Sequence, residues 1–210
     1  MSRVLISRRF LLAGLAGLAS MPARAQQMDI TRASAFVDRA GQDLVNAIND
    51  PRLNKTQRRD KVGGILRSAI DIEGTGRFIL GRYVRQASPA ELQDYLKLFD
   101  EIIIRNLSAR FGEYRGVKFS LGRSQQRTEE DALVSTLVER PNSPAFTLDW
   151  RVAEINGQPK VVDVIAEGTS LRLTTRSEYA AVIQRNNGRV ASLLEAMRGQ
   201  IAQLAAREGG

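Results

Sequence analysis

The chain of 210 residues contains no cysteine and no histidine. Without thiols it has no disulfides, so its core alone must hold the fold together. Cysteine nucleophiles, histidine-based triads and zinc sites built from Cys or His all lack their parts. A carboxylate-only metal site or a carboxylate acid–base pair is not excluded. No apolar run reaches the ~20 residues that a membrane-spanning helix requires. There is no internal repeat and no low-complexity tract. Nor is there a basic stripe interleaved with aromatics, the pattern that tracks and stacks a nucleic-acid strand, so nucleic acid is excluded as a partner. The densest basic cluster, Arg58-Arg59-Asp60-Lys61, reads as a solvated helix face.

What is present begins with an export signal. Arg3, Arg8 and Arg9 form a basic start, Phe10 to Ala19 is apolar, and Ala23-Arg24-Ala25 is a small-x-small cleavage site. Residues 1–25 are therefore expected to be a cleaved signal peptide, with a single domain over 26–210 and a periplasmic location. Ser7-Arg8-Arg9-Phe10-Leu11-Leu12 resembles a twin-arginine signal with Leu11 where that motif usually has Phe, while ordinary secretion fits the same residues. Cleavage removes Arg3, Arg8, Arg9 and Arg24 and no acid, taking the net charge from +8 to +4. That is mild, and compatible with weak attraction to anionic lipid headgroups. About 185 mature residues suffice for one domain with a sizeable core.

The mature chain opens with helical periodicity. Ile30, Ala33, Phe36, Val37, Ala40, Leu44, Val45 and Ile48 recur at three and four residues, an amphipathic helix. Asn54 and Gln57 can cap a second helix. Asp71 to Gly76 reads as a break before a short helix over 77–85, with Gly63, Gly64, Gly74 and Gly76 as candidate hinges. Ser88-Pro89-Ala90-Glu91 is a strong start for a long apolar helix carrying Tyr95, Phe99, Ile102, Ile103 and Leu107. From Val117 the period becomes two. Strands are expected over 117–121, 133–138, 146–152 and 160–166, with a turn at Asn156-Gly157. Glu167 to Ser170 is a turn leading to a further short strand, Thr175-Arg-Ser-Glu178 has capping-box spacing, and Asn186-Asn187-Gly188 is a C-cap before a last helix. These elements predict an α+β domain. Its antiparallel twisted sheet, of four strands or slightly more, is covered on one face by N- and C-terminal helices.

Two segments carry a family resemblance. Lys160-Val-Val-Asp-Val-Ile-Ala-Glu-Gly-Thr-Ser-Leu171, followed by Arg176-Ser and Tyr179, resembles the signature of the MlaC/toluene-tolerance family. Leu80-Gly81-Arg82-Tyr83-Val84-Arg85, followed by Ser88-Pro89, is similar to a second family segment, with Val84 near an expected aromatic. The resemblance spans roughly residues 30–200. It implies a monomeric periplasmic carrier whose ligand is a phospholipid, or a hopanoid in a related branch. It also implies an outer-membrane lipoprotein complex and an inner-membrane ABC transporter complex as partners, with no cofactor and no metal.

A carrier needs an apolar cavity at or above the top of the usual ~300–1,000 Å³ range. The candidate lipid-binding residues are Phe146, Leu148, Trp150 and Val152 on one strand, Val162 and Val164 on the next, and Phe99, Ile103 and Leu107 on the facing helix. Each is equally what an ordinary core requires. The enzyme alternative rests on Asp163 and Glu167, four apart near a strand end and ~13 Å apart along an extended strand. Structural use of Asp163 at a neighbouring element, and of Glu167 in the turn or against Arg176, competes with it. An envelope protein-binding module without lipid is a third possibility.

Overall fold

The structure, a computed structural model, describes residues 28–112 and 116–209. The expected signal peptide, residues 1–25, lies outside the described residues. Two helices open the described chain. In α1 (Ile30–Asn49) Ala33, Val37, Gly41, Leu44, Ala47 and Ile48 are buried, and the Asp29 carboxylate caps its start by accepting from the Thr31 N–H. The Asn54–Gln57 capping box opens α2 (Lys55–Ala69). Arg58 departs from the expected solvated face. It is buried, and its guanidinium donates to the carbonyls of Asp50 and Leu53, tying the α1–α2 turn together.

The expected break at 71–76 is instead the first part of α3 (Ile72–Leu80). Asp71 is its N-cap, accepting from the Gly74 N–H at 3.0 Å, so the glycines that suggested a loop are held in helix by a capping carboxylate. Gly63 and Gly64 likewise lie within α2, so all four candidate hinge glycines stand inside helices rather than in turns. The true irregular glycine is Gly81, with φ 58 and ψ −127, a conformation a side chain strongly disfavours. It ends α3 and starts a short 3-10 helix, Gly81–Arg85, that buries Tyr83. The Ser88–Glu91 capping pair then opens α4 (Pro89–Gly112) as expected.

The strands are β1 (Lys118–Gln126), β2 (Asp131–Arg140), β3 (Ser143–Ile155), β4 (Gln158–Ala166) and β5 (Thr169–Ser170). They form one open antiparallel meander in the order β1-β2-β3-β4-β5. Asn156 (φ 51) and Gly157 (φ 76) make the β3–β4 turn, and Glu167 (φ 50) and Gly168 (φ 77) make the β4–β5 turn, both with the positive φ values of tight hairpins. A bulge shifts the β3–β4 register: Val161 pairs with Val152, Asp163 with Arg151, and Val162 is the extra residue. Strict alternation put Val162 and Val164 on one face. The bulge puts Val161 there instead, and both Val161 and Val162 are buried.

Helix α5 (Leu171–Arg185) starts four residues before the expected capping box. Ser170 caps it by accepting from the Leu173 N–H. Thr175 lies inside the helix with its hydroxyl donating to the Leu171 carbonyl. The C-cap at Asn186 stands as expected, and α6 (Val190–Gly209) follows.

Three apolar clusters fill the interior. One joins α3, α4, α5 and α6 around Tyr95, Phe99, Ile183 and Leu193. A second joins α1, α2, Ile104 of α4 and the sheet through Ile48, Val62, Leu66 and Val138. The third packs Met28, Ala33 and Val37 on Ala132, Val134 and Val152. The helical cover over the sheet is chiefly α1, with α2, α3 and the C-terminal α5 meeting it at β4. Much of α4 faces other helices, because its apolar stripe is wide enough to serve two sides.

Candidate functional site

Two apolar cavities lie inside this framework. The first, about 50 Å³, sits between α1, α2 and the sheet, against Val37, Leu44, Leu66, Phe119, Leu148 and Trp150. The second, about 90 Å³, sits between β4, α3, α4 and α5, against Ile79, Ile103, Leu107, Val162, Val164 and Leu171. Ile70 and Val161 line both. Their backbones meet in an isolated parallel bridge, and the Asp71 N–H donates to the Val161 carbonyl at 3.0 Å. One narrow partition therefore separates two greasy spaces.

The polar groups near the first cavity are turned away from it. The Trp150 indole donates to the Thr136 hydroxyl at 2.8 Å, and that hydroxyl donates to the Leu148 carbonyl at 3.2 Å. Phe119 closes this space from β1. A Cβ built on Gly41 would stand 2.4 Å from two of its ring carbons, so α1 rests directly on the ring. Neither Phe119 nor α1 was singled out from the sequence. The small residues Ala40-Gly41 on the inward stripe of α1, opposite an aromatic of β1, are the signal that marks such a close approach.

The nine residues singled out from sequence are divided by the structure. Leu148 and Trp150 line the first cavity, and Ile103, Leu107, Val162 and Val164 the second. Phe146 packs beside the second cluster with the Arg140 guanidinium 5.0 Å from its ring centre. Val152 is fully buried against α1 in the third cluster. Phe99 faces the helical cluster, stacked 5.9 Å from Tyr95. These three are not brought to either cavity.

The carboxylates of the enzyme alternative are placed apart in role. Asp163 is buried. It accepts from the Ser170 hydroxyl at 2.6 Å and from the Arg172 N–H at 3.1 Å, so it anchors the start of α5. Glu167 is exposed in the β4–β5 turn, and Arg176 donates to the Phe78 carbonyl rather than pairing with it. Among the described residues no group of three or more acidic side chains is placed to hold a metal ion.

A second buried acid, Asp131 at the start of β2, takes Arg127 and Arg151. Burial pushes its carboxyl upward, but the hydrogen bonds from the two guanidiniums outweigh that and hold it below the usual carboxylate range. In the helical cluster, burial raises the Tyr179 hydroxyl to about 12 and carries Tyr95 higher still. Tyr95 donates to the Gly76 carbonyl at 2.9 Å.

The fold is an open antiparallel meander capped by helices, with aliphatic spaces between the two. The family comparison gives it a place: the MlaC protein family profile matches residues 38–199, and the chain belongs to that family. It is similar to the toluene tolerance protein Ttg2D of Pseudomonas putida, with 22% identity over 164 residues covering 74% of this chain and 76% of that one. The fold is also that of the phospholipid-binding protein from Ralstonia solanacearum, solved in complex with a phospholipid. That likeness has a TM-score of 0.73 and 26% identity, and covers 82% of this chain and 98% of the other.

Proposed function

We infer that the protein is a carrier that holds the acyl chains of a membrane phospholipid in the space between helices and sheet. The observation that carries this reading is the pair of apolar cavities meeting at the Ile70–Val161 bridge. The phospholipid bound by the Ralstonia relative supports it. A two-chain lipid exposes about thirty methylenes, worth ~25 kcal/mol at ~0.8 kcal/mol each, against entering water. A carrier offsets this by exchanging one apolar environment for another, and aliphatic walls are all that exchange requires.

At about 50 and 90 Å³ the cavities fall well short of the ~300–1,000 Å³ typical of ligand sites. Neither of these two cavities is, as it stands, the lipid-sized one expected from the sequence. Loading therefore requires movement. The element that moves is α1, whose inner face rests on the sheet through apolar side chains and the Phe119 ring, so a tail can replace the surface it leaves. Its polar ties, Arg32 to Glu154, Ser34 to Ser124 and Asn49 to the Val117 carbonyl, break as it lifts. Leu148, Trp150, Ile103, Leu107, Val162 and Val164 then meet the tails. Phe146, Val152 and Phe99 support the walls from behind.

The same reading places the mature chain in the periplasm after removal of residues 1–25. There it moves lipid between an outer-membrane lipoprotein complex and an inner-membrane ABC transporter without catalysing a reaction. Asp163 serves the fold. Organic extraction of the purified exported protein followed by lipid mass spectrometry tests the function. A stoichiometric phospholipid is expected. A hopanoid in its place would reassign the cargo, and an empty extract with no uptake from phospholipid vesicles would refute the carrier.

A further inference from the structure

The wall of the second cavity carries one group that an apolar pocket does not need. Arg172, in the first turn of α5, is among its lining residues, and its side chain is 12% exposed. Its guanidinium lies 3.8 Å from the centre of the Phe78 ring, which holds it in place as a cation–π contact. The nearest carboxylate oxygen, on Asp163, is 3.9 Å from Nε, beyond hydrogen-bond length. That carboxylate is already occupied by the Ser170 hydroxyl and the Arg172 backbone N–H. Among the described residues the Arg172 side chain makes no hydrogen bond, and its Nε is buried without a partner. The charge is offset while the buried Nε–H goes unanswered, and leaving a buried donor unanswered is costly.

A second guanidinium stands beside it. Arg176 lies 4.7 Å from the centre of the same ring and donates to the Phe78 carbonyl, with no carboxylate paired to it among the described residues. Among the described residues Asp163 is the one carboxylate within 4 Å of either guanidinium, and the more distant Asp131 is engaged by Arg127 and Arg151. What this corner lacks is an anion with several acceptor oxygens, and a guanidinium's planar fork matches two oxygens of a phosphate.

We propose that Arg172 is the phosphate anchor of the lipid site, its guanidinium taking the phosphodiester while the aliphatic walls beside it take the tails. The assignment rests on the carrier reading and narrows it. A phosphate-bearing lipid is selected over an uncharged lipid with the same apolar bulk, including an uncharged polycyclic one.

The test compares dioctanoylphosphatidylglycerol with dioctanoylglycerol, which has the same tails and no phosphate, by calorimetry on the mature chain. The wild type is expected to bind the phospholipid about tenfold more tightly, the scale of one charge-assisted contact. Arg172→Gln should bind both alike, losing the wild type's preference for the phospholipid. Should Arg172→Gln fail to fold, Arg172→Lys serves: it keeps the charge but loses the fork, and the preference should fall by roughly half on a logarithmic scale. A full preference retained in either folded variant, or none in the wild type, overturns the anchor. Binding of neither lipid by the wild type overturns the carrier reading itself. Inorganic phosphate is the third arm. If millimolar phosphate raises the melting temperature through Arg172 while the two lipids bind equally, the site is one for free phosphate, and the lipid assignment falls.

Discussion

Gly41 of α1 and Phe119 of β1 touch so closely that a methyl group at position 41 would stand 2.4 Å from the ring. This contact seats the helical cover on the sheet over the first cavity. Gly41→Ala should therefore destabilise the protein by about 1–3 kcal/mol through overpacking. Urea unfolding measures the loss. Combining Gly41→Ala with Phe119→Leu, which replaces the ring by a shorter isobutyl group, should recover part of it as a coupling between the two sites. Simple additivity would mean that the ring does not seat α1.

Truncating the side chain to a methyl group separates stability from capacity. Phe119→Ala should cost about 3–5 kcal/mol as a large-to-small change. In return it enlarges the first cavity, so the fraction of folded protein that carries phospholipid after vesicle incubation should rise. An unchanged load would mean that tails do not use this space.

Asp163 was the residue most open to two readings in the sequence, and its contacts decide its role in the fold. Asp163→Asn keeps the shape but weakens the hold on Ser170 and on the first N–H groups of α5. A loss of about 1–3 kcal/mol is expected, the scale for a charged capping bond. Chemical denaturation followed by circular dichroism gives the number. Abolition of an enzymatic turnover with unchanged stability would reopen the alternative.

How much could be read without coordinates depended on whether a signal was local. The Asn54–Gln57 and Ser88–Glu91 caps and the Asn156-Gly157 turn are each set by a few adjacent residues, and each stands where expected. The start of α5 was misplaced because Thr175 and Glu178 have capping spacing, whereas the real cap, Ser170, is fixed by Asp163 on a neighbouring strand. The glycines at 74 and 76 suggested a loop, and Asp71 holds them in helix. Within the candidate site, period-two counting put Leu148 and Trp150 on one face, where both line the first cavity, but it also gave Val162 and Val164 a shared face, which the bulge breaks because it depends on pairing with β3. Phe99 was set against the sheet because one helix with a broad apolar stripe does not reveal which side meets which neighbour. The closeness of α1 to Phe119 is a contact across 78 positions of sequence, and nothing local encodes it.

Acid should act through Asp131. Its folded carboxyl titrates below the ordinary value because Arg127 and Arg151 favour the charged form. The stability it contributes is present above the unfolded pKa, about 4, and is lost as pH falls through the lower folded value. Melting temperature should therefore drop steeply below about pH 4. Asp131→Asn should lower the neutral-pH melting temperature and flatten that acid slope. A variant with the same slope would place the acid sensitivity elsewhere.

The absence of cysteine makes the most direct test a clean one. The hydroxyls of Ser34 on α1 and Ser124 on β1 are 2.7 Å apart, which suits a disulfide between Ser34→Cys and Ser124→Cys. Phospholipid uptake from vesicles is then measured for the doubly substituted protein before and after reduction. The account predicts almost no uptake while the bond pins α1 to the sheet, and wild-type uptake once it is reduced. Equal uptake in both states would contradict it, because the tails would then be reaching their place without α1 leaving the sheet.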